Sequence, residues 1–144
     1  MSRLLWSDDY SVHVRSIDNE HKMLMELVND IDRTMQLETA PQIRRQLVTG
    51  ALKQLMSHTL AHFESEEHFL ILNAYDDIAA HQEEHRRLVL DLKDFADGFI
   101  SGKHEIDEQK MFVLKDWLVR HIILHDCKFG SHFKGRTDLV CCDS

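Results

Sequence analysis

Five histidines and two carboxylates along this chain have the types and spacing of metal ligands: His21 alone, His62 with Glu66, His81 with His85, and His121 with Asp126. Residues four apart lie on one face of an α-helix, which suits the second and third groups. The fourth group is spaced by five. Each group falls in a different stretch of helical pattern, so four packed helices would aim all of them at one point. An ordinary zinc site takes four ligands, fewer than this set offers. Two ions bridged by the carboxylates would use every member. Imidazoles with bridging carboxylates point to iron as the first choice. No Cys joins the set, which disfavours structural zinc and iron–sulfur clusters.

The elements that must hold these residues read as four amphipathic helices. A first helix is expected from about Asp18 to about Leu37, capped by Ser16 or Asp18, with the stripe Ile17, His21, Leu24, Val28, Ile31, Met35. Pro41 suits the first turn of a second helix running to about Leu72, with Leu55, Thr59, His62, Glu66 and Phe69 in line. After a turn near Asn73–Asp77, the third helix carries His81, His85, Leu88, Leu92, Phe95 and Phe99. Asp107 can cap a fourth, with Met111, Leu114, Leu118 and His121. Short connections imply an all-α, antiparallel up-down-up-down four-helix bundle behind an irregular N-terminal arm. In every helix the proposed ligands continue the apolar stripe into the core. There an uncompensated charge is costly, and a metal is the natural compensation. The domain is expected to cover residues 1–127, followed by a polar C-terminal tail at 128–144.

Composition narrows the partners. A chain of 144 residues is long enough for one domain with a real core. A formal charge of −8 argues against nucleic acid or an anionic membrane as the main partner. No apolar run reaches the roughly 20 residues of a membrane span, and the first residues lack a signal-peptide pattern, so a cytoplasmic protein is expected. Cys127, Cys141 and Cys142 form no disulfide framework: the count is odd, two are adjacent, and no C-x-x-C occurs.

The ordered motifs are similar to those of the hemerythrin family. They are Trp6 with Tyr10-Ser11-Val12, Ile17-Asp18-Asn19-Glu20-His21-Lys22, His62-Phe63-Glu64-Ser65-Glu66-Glu67, His81-Gln82-Glu83-Glu84-His85, and Trp117-Leu118-Val119-Arg120-His121-Ile122 with Asp126. The resemblance is closest to the single-domain bacteriohemerythrins and spans about residues 6–127. It implies two non-haem iron ions with an oxo or hydroxo bridge. His81, His85 and His121 would hold one iron, His21 and His62 the other, and Glu66 and Asp126 would bridge them. The iron with two imidazoles would keep an open position at which O2 binds reversibly, and Leu118 would line an apolar O2 pocket. The implied protein is an O2 carrier and not an enzyme, a monomer, with an oxygen-using enzyme or a signalling protein as a further partner.

Two departures stand out. His13 occupies a position where the family usually has Gly, and is read as a loop residue. His121 and Asp126 lie about 140° apart on an ideal helix, so a local distortion is expected; His125 is the geometrically easier partner, but the family pattern selects Asp126. Of the other histidines, His58 is expected to pack in the core or to support the ligands from behind, and His68 to lie in solvent. Two other functions compete with O2 carriage. One is O2 or redox sensing, which needs the same ligands. The other is a di-iron oxidase or peroxidase, but such sites use Glu-x-x-His pairs and this chain has none. The H-x-x-E-H peptidase signature at His81–His85 uses two residues that the larger set already explains.

Overall fold

A computed structural model describes residues 2–136, 138 and 139. Helix α1 spans Arg15–Met35, α2 Pro41–Leu72, α3 Ile78–Ile100 and α4 Glu108–Leu118. A π-helical segment, Val119–Leu124, joins α4 to α5, His125–Phe133. No strand occurs among the described residues. The segments from α4 to α5 act as the fourth rod of an antiparallel bundle. Close packing joins α1 to α2, α2 to α3 and α1 to α4, while the α3–α4 seam is the loosest of the four.

Most positions of the expected stripes are buried. Ile17, His21, Leu24, Val28 and Ile31 all face inward on α1, and Leu55, Thr59, His62, Glu66 and Phe69 do so on α2. Pro41 starts α2, where its missing N–H costs nothing. The Asp107 side chain caps α4 by accepting from the Lys110 amide. The main core runs from Val48, Ile31 and Phe99 at one end to Leu118, Ile122 and Ile123 near the other.

The start of α1 differs from expectation. It begins at Arg15, with Val14 as cap residue and no side-chain cap. Asp18 is diverted to the N-terminal arm: its carboxylate accepts from Ser11 Oγ at 2.6 Å and from the Val12 amide at 2.8 Å. The arm is also pinned by Asn29, which accepts from the Leu4 amide and donates to the Leu4 carbonyl.

The polar tail expected from residue 128 also needs correction. The helix continues to Phe133, and Phe129 and Phe133 are buried. They close a second apolar cluster with Val12, Val14, Ile17, Phe69 and Leu70 at the ligand end of the bundle. Two phenylalanines four apart outweigh the polar residues between them, because they lie on one face and have a cluster to enter. Cys141 and Cys142 lie outside the described residues.

Candidate metal centre

Six of the seven expected ligands meet at one point. His21 comes from α1, His62 and Glu66 from α2, His81 and His85 from α3, and Asp126 from α5; none is more than 5% exposed. The connection at residues 36–40 absorbs the offset between α1 and α2, so that the rings of His21 and His62 lie 4.7 Å apart.

The carboxylates divide their oxygens between two pairs of imidazoles. Glu66 Oε2 lies 3.1 Å from His62 Nε2 and 3.6 Å from His21 Nε2. Its other oxygen, Oε1, lies 2.6 Å from His81 Nε2 and 3.0 Å from His85 Nε2. Asp126 repeats the pattern, with Oδ2 at 3.0 Å from His21 Nε2 and Oδ1 at 3.3 Å from His81 Nε2. Two four-ligand groups result: His21, His62, Glu66 and Asp126, and Glu66, His81, His85 and Asp126. Each has ligand atoms within 4.8 Å of one another. Carboxylates shared in this way are what two bridged cations require.

The donor set fits such ions on its own evidence. His62 Nε2 and Glu66 Oε2 are buried side by side, yet neither makes a hydrogen bond. Such groups are costly inside a protein unless something satisfies them. Burial would push the protonation of His62 and His81 down, but Glu66 and Asp126, joined at His62 by Glu20, overcome it and raise both to about 10. Glu66 is held well below the ordinary carboxylate range by the same imidazoles, against its own burial. The pocket therefore favours positive charge, which metal ions would supply on displacing protons from the imidazoles.

Two residues outside the expected set complete the site. His62 Nδ1 lies 2.6 Å from Glu20 Oε1, and Ser65 Oγ donates to the other Glu20 oxygen. His85 Nδ1 lies 2.6 Å from Glu67 Oε2. A carboxylate accepts, so each Nδ1 donates and each Nε2 is turned to the centre, the usual outer support of a ligating imidazole. Glu67 looks like part of a solvated acidic face in the sequence, and Glu20 is visible only as a motif member. The available signal was that each sits one residue from a ligand, at a helix seam.

Grooves approach both halves, one of about 530 Å³ lined by Phe63, Glu67 and His85 among others. Phe63 stacks on the His85 ring at 3.8 Å, and Tyr75 and Phe129 pack edge-on to His81. On the His62 side a cleft of about 160 Å³, lined by Glu20, Met23, Leu24, His58, Ala61 and His62, reaches the ligands. His58 is exposed at this cleft beside His62 and Glu20; of the two roles expected for it, core packing is not what the structure shows, because it lies one position off the buried line through Leu55, Thr59 and His62. His68 is exposed, as expected.

His121 is the ligand that the fold does not bring in. Its side chain is 48% exposed, with Nε2 3.9 Å from Asp116 Oδ2. It lines a groove of about 320 Å³ with Asp91, Leu92, Phe95 and Trp117. The expected distortion is present as the π segment, but its wide turn already begins at Val119 and rotates His121 outward while turning Ile122 and Ile123 in. Leu118 is fully buried in the main core.

Known proteins resemble this one over nearly its full length. The family model described as Hemerythrin HHE cation binding domain matches residues 12–126. The bacteriohemerythrin of Methylococcus capsulatus is 30% identical over 131 residues, covering 90% of this chain and 96% of that one. Myohemerythrin-1 of Phascolopsis gouldii is 28% identical over 125 residues, covering 87% and 90%. A crystal structure of wild-type hemerythrin has a TM-score of 0.77 at 28% identity, covering 90% of this chain and 97% of that one.

Proposed function

The chain belongs to the hemerythrin family, and we propose from that footing that it binds O2 reversibly at a non-haem di-iron centre. The observation that carries the reading is the division of the Glu66 and Asp126 oxygens between the pair His21 and His62 and the pair His81 and His85. His21 and His62 would hold one iron; His81 and His85, with His121 by family position, would hold the other. When bound, a ferrous pair supplies two electrons and an open position for O2.

The chain's own residues do the rest. Glu20 and Glu67 fix the rings of His62 and His85 through Nδ1. The cleft beside His62 admits a small molecule on the side with fewer ligands. Phe63, Tyr75 and Phe129 pack against the rings of His85 and His81 and hold them in place. Leu118, buried one turn before His121, is the residue for an apolar pocket wall. O2 is the partner we assign, and carriage, storage or delivery by a cytoplasmic monomer is the role. No helix of the described residues is long and apolar enough to cross a membrane. A carrier fits better than an oxidase, because the ligands are rich in imidazole and lack Glu-x-x-His pairs.

The test is iron content after anaerobic loading, followed by optical spectra as O2 is added and withdrawn. One ion for each of the two ligand groups, with a visible band that appears and disappears with O2, is the expected result. Oxidation in a single irreversible step would move the reading to sensing or oxidase chemistry. Little iron, or one zinc ion, would overturn it.

A further inference from the structure

The π segment Val119–Leu124 sits between two stretches whose core-facing lines are fixed. Before it, Met111, Leu114 and Leu118 are buried; after it, Asp126, Phe129 and Phe133 are. A turn closed by i→i+5 hydrogen bonds holds one residue more than an α turn. Where that extra residue falls decides which side chain between Leu118 and Asp126 completes the line. With the wide turn beginning at Val119, Ile122 is 1% exposed and His121 is turned out. If the wide turn instead lay between His121 and Asp126, the three α residues after Leu118 would leave His121 only about 60° from Leu118. The five residues from His121 to Asp126 would then come back to the same face.

We propose that this π turn is movable, and that metal loading shifts it toward Asp126, exchanging Ile122 for His121 on the core-facing line. The inference rests on the di-iron reading, in which His121 is a ligand by family position. Leu118 and Asp126 keep their places in both arrangements, so the change is confined to the residues between them. Nor does it break the helix ladder, since a wide turn that migrates exchanges one set of backbone bonds for another. The surroundings permit it. The α3–α4 seam is the loosest in the bundle, and the groove there holds the His121 ring without a close partner, its nearest carboxylate being 3.9 Å away. A ligand shifts an equilibrium only through different affinities for its two states; a bond to His121 exists in one of them alone.

The experiment compares the full chain, metal-free and anaerobically loaded with ferrous iron, by carbethoxylation with diethyl pyrocarbonate and peptide mass mapping. Exposed His68 serves as the internal standard. His121 is expected to react as fast as His68 without metal, and to be slowed by at least about tenfold when loaded, as a strong population shift requires. Two irons bound with His121 still reactive would overturn the inference and leave the di-iron reading standing. Protection of His121 already present without metal would also overturn it. Protection produced by a single ion would keep the shift and sink the di-iron reading; no uptake and no protection would sink both. Deletion of the half-exposed Leu124 separates a turn shift from mere rotation of the ring. It leaves His121 and Asp126 four apart, so His121 should be protected without metal. A folded deletion variant with His121 still reactive would overturn the proposal, and if the variant does not fold the wild-type mapping decides.

Discussion

Nδ1 of His85 lies 2.6 Å from Glu67 Oε2, and this contact determines which ring nitrogen the imidazole presents to the centre. Glu20 does the same for His62 from another helix. Glu67→Gln and Glu20→Gln keep the shape of each acceptor but remove its charge, so the ring loses its preferred orientation and part of its basicity. Loss of such an outer partner typically lowers metal affinity 10–100-fold. Each variant is expected to fall in that range in a competitive metal titration while its metal-free helix content is unchanged. Wild-type affinity in both would show that the contacts do not orient the ligands.

Much of the centre was legible because its ligands lie on stripes that also build the core. His62 with Glu66, and His81 with His85, follow the helical period, and Pro41 and Asp107 mark the helix starts by well-understood chemistry. The residues that were not legible depend on packing. Glu67 is set by what α3 presents across the seam, which no spacing within α2 records. The side of His121 depends on where one extra residue is absorbed between Leu118 and Asp126, a choice that the five-residue spacing leaves open. Helix α5 was obscured by its polar residues, although Phe129 and Phe133 at four apart carried the signal.

Gly130 shows how closely the N-terminal arm is fitted to α5. A Cβ added there would lie 2.7 Å from Val12 Cα and 3.3 Å from its carbonyl carbon, and backbone cannot retreat as a flexible side chain can. Gly130→Ala is therefore expected to destabilise by about 1–3 kcal/mol, the usual cost of overpacking. It should also loosen the arm, raising amide exchange at Val12, whose N–H is bonded to Asp18. Denaturant unfolding with site-resolved exchange checks both; an unchanged Val12 amide would contradict the fit.

His13 adopts φ of +62°, the left-handed region that suits glycine. This gives a physical reason for the Gly usual at this position in the family. An L side chain there costs roughly 1–2 kcal/mol, of which a glycine returns part through its larger unfolded-state entropy. His13→Gly is thus expected to stabilise the fold by about 0.5–1 kcal/mol, read as a higher denaturant midpoint. A lower midpoint would mean that the imidazole makes a compensating contact.

At the far end of the bundle, Lys115 is 1% exposed and its Nζ lies 2.6 Å from Asp32 Oδ2. Burial opposes ionisation of Asp32, but hydrogen bonds from Lys115 and Gln36 hold it below its ordinary value of 3.8. A folded-state value below the unfolded one contributes stability above the unfolded value, and loses it as pH falls through the folded value. Between pH 5 and pH 3, at constant salt, the wild type is expected to lose stability that Asp32→Asn already lacks, so their midpoints should converge. At neutral pH the variant should be less stable, since the buried Lys115 ammonium exchanges a charge-assisted hydrogen bond for a neutral one. Parallel curves across the acid range would show that the pair does not titrate on folding.

Leu118 separates a role in the core from a role at the centre. It is fully buried and belongs to the main core with Ile122 and Ile123, so Leu118→Ala is expected to cost about 2–5 kcal/mol, according to how far the cavity collapses. None of the six converging ligands is altered by the change, and iron content should remain that of the wild type. If Leu118 walls the O2 pocket, as we propose, the enlarged space admits water beside the centre, and water exclusion is what an apolar wall contributes. The lifetime of the O2-bound protein should therefore fall even though the metal stays. Stopped-flow spectra after O2 addition, with iron counted on the same samples, measure the two effects separately. A destabilised variant with an unchanged O2-bound lifetime would confine Leu118 to packing. Loss of iron in the still-folded variant would instead show that the helix carrying Asp126 needs Leu118 to keep its register.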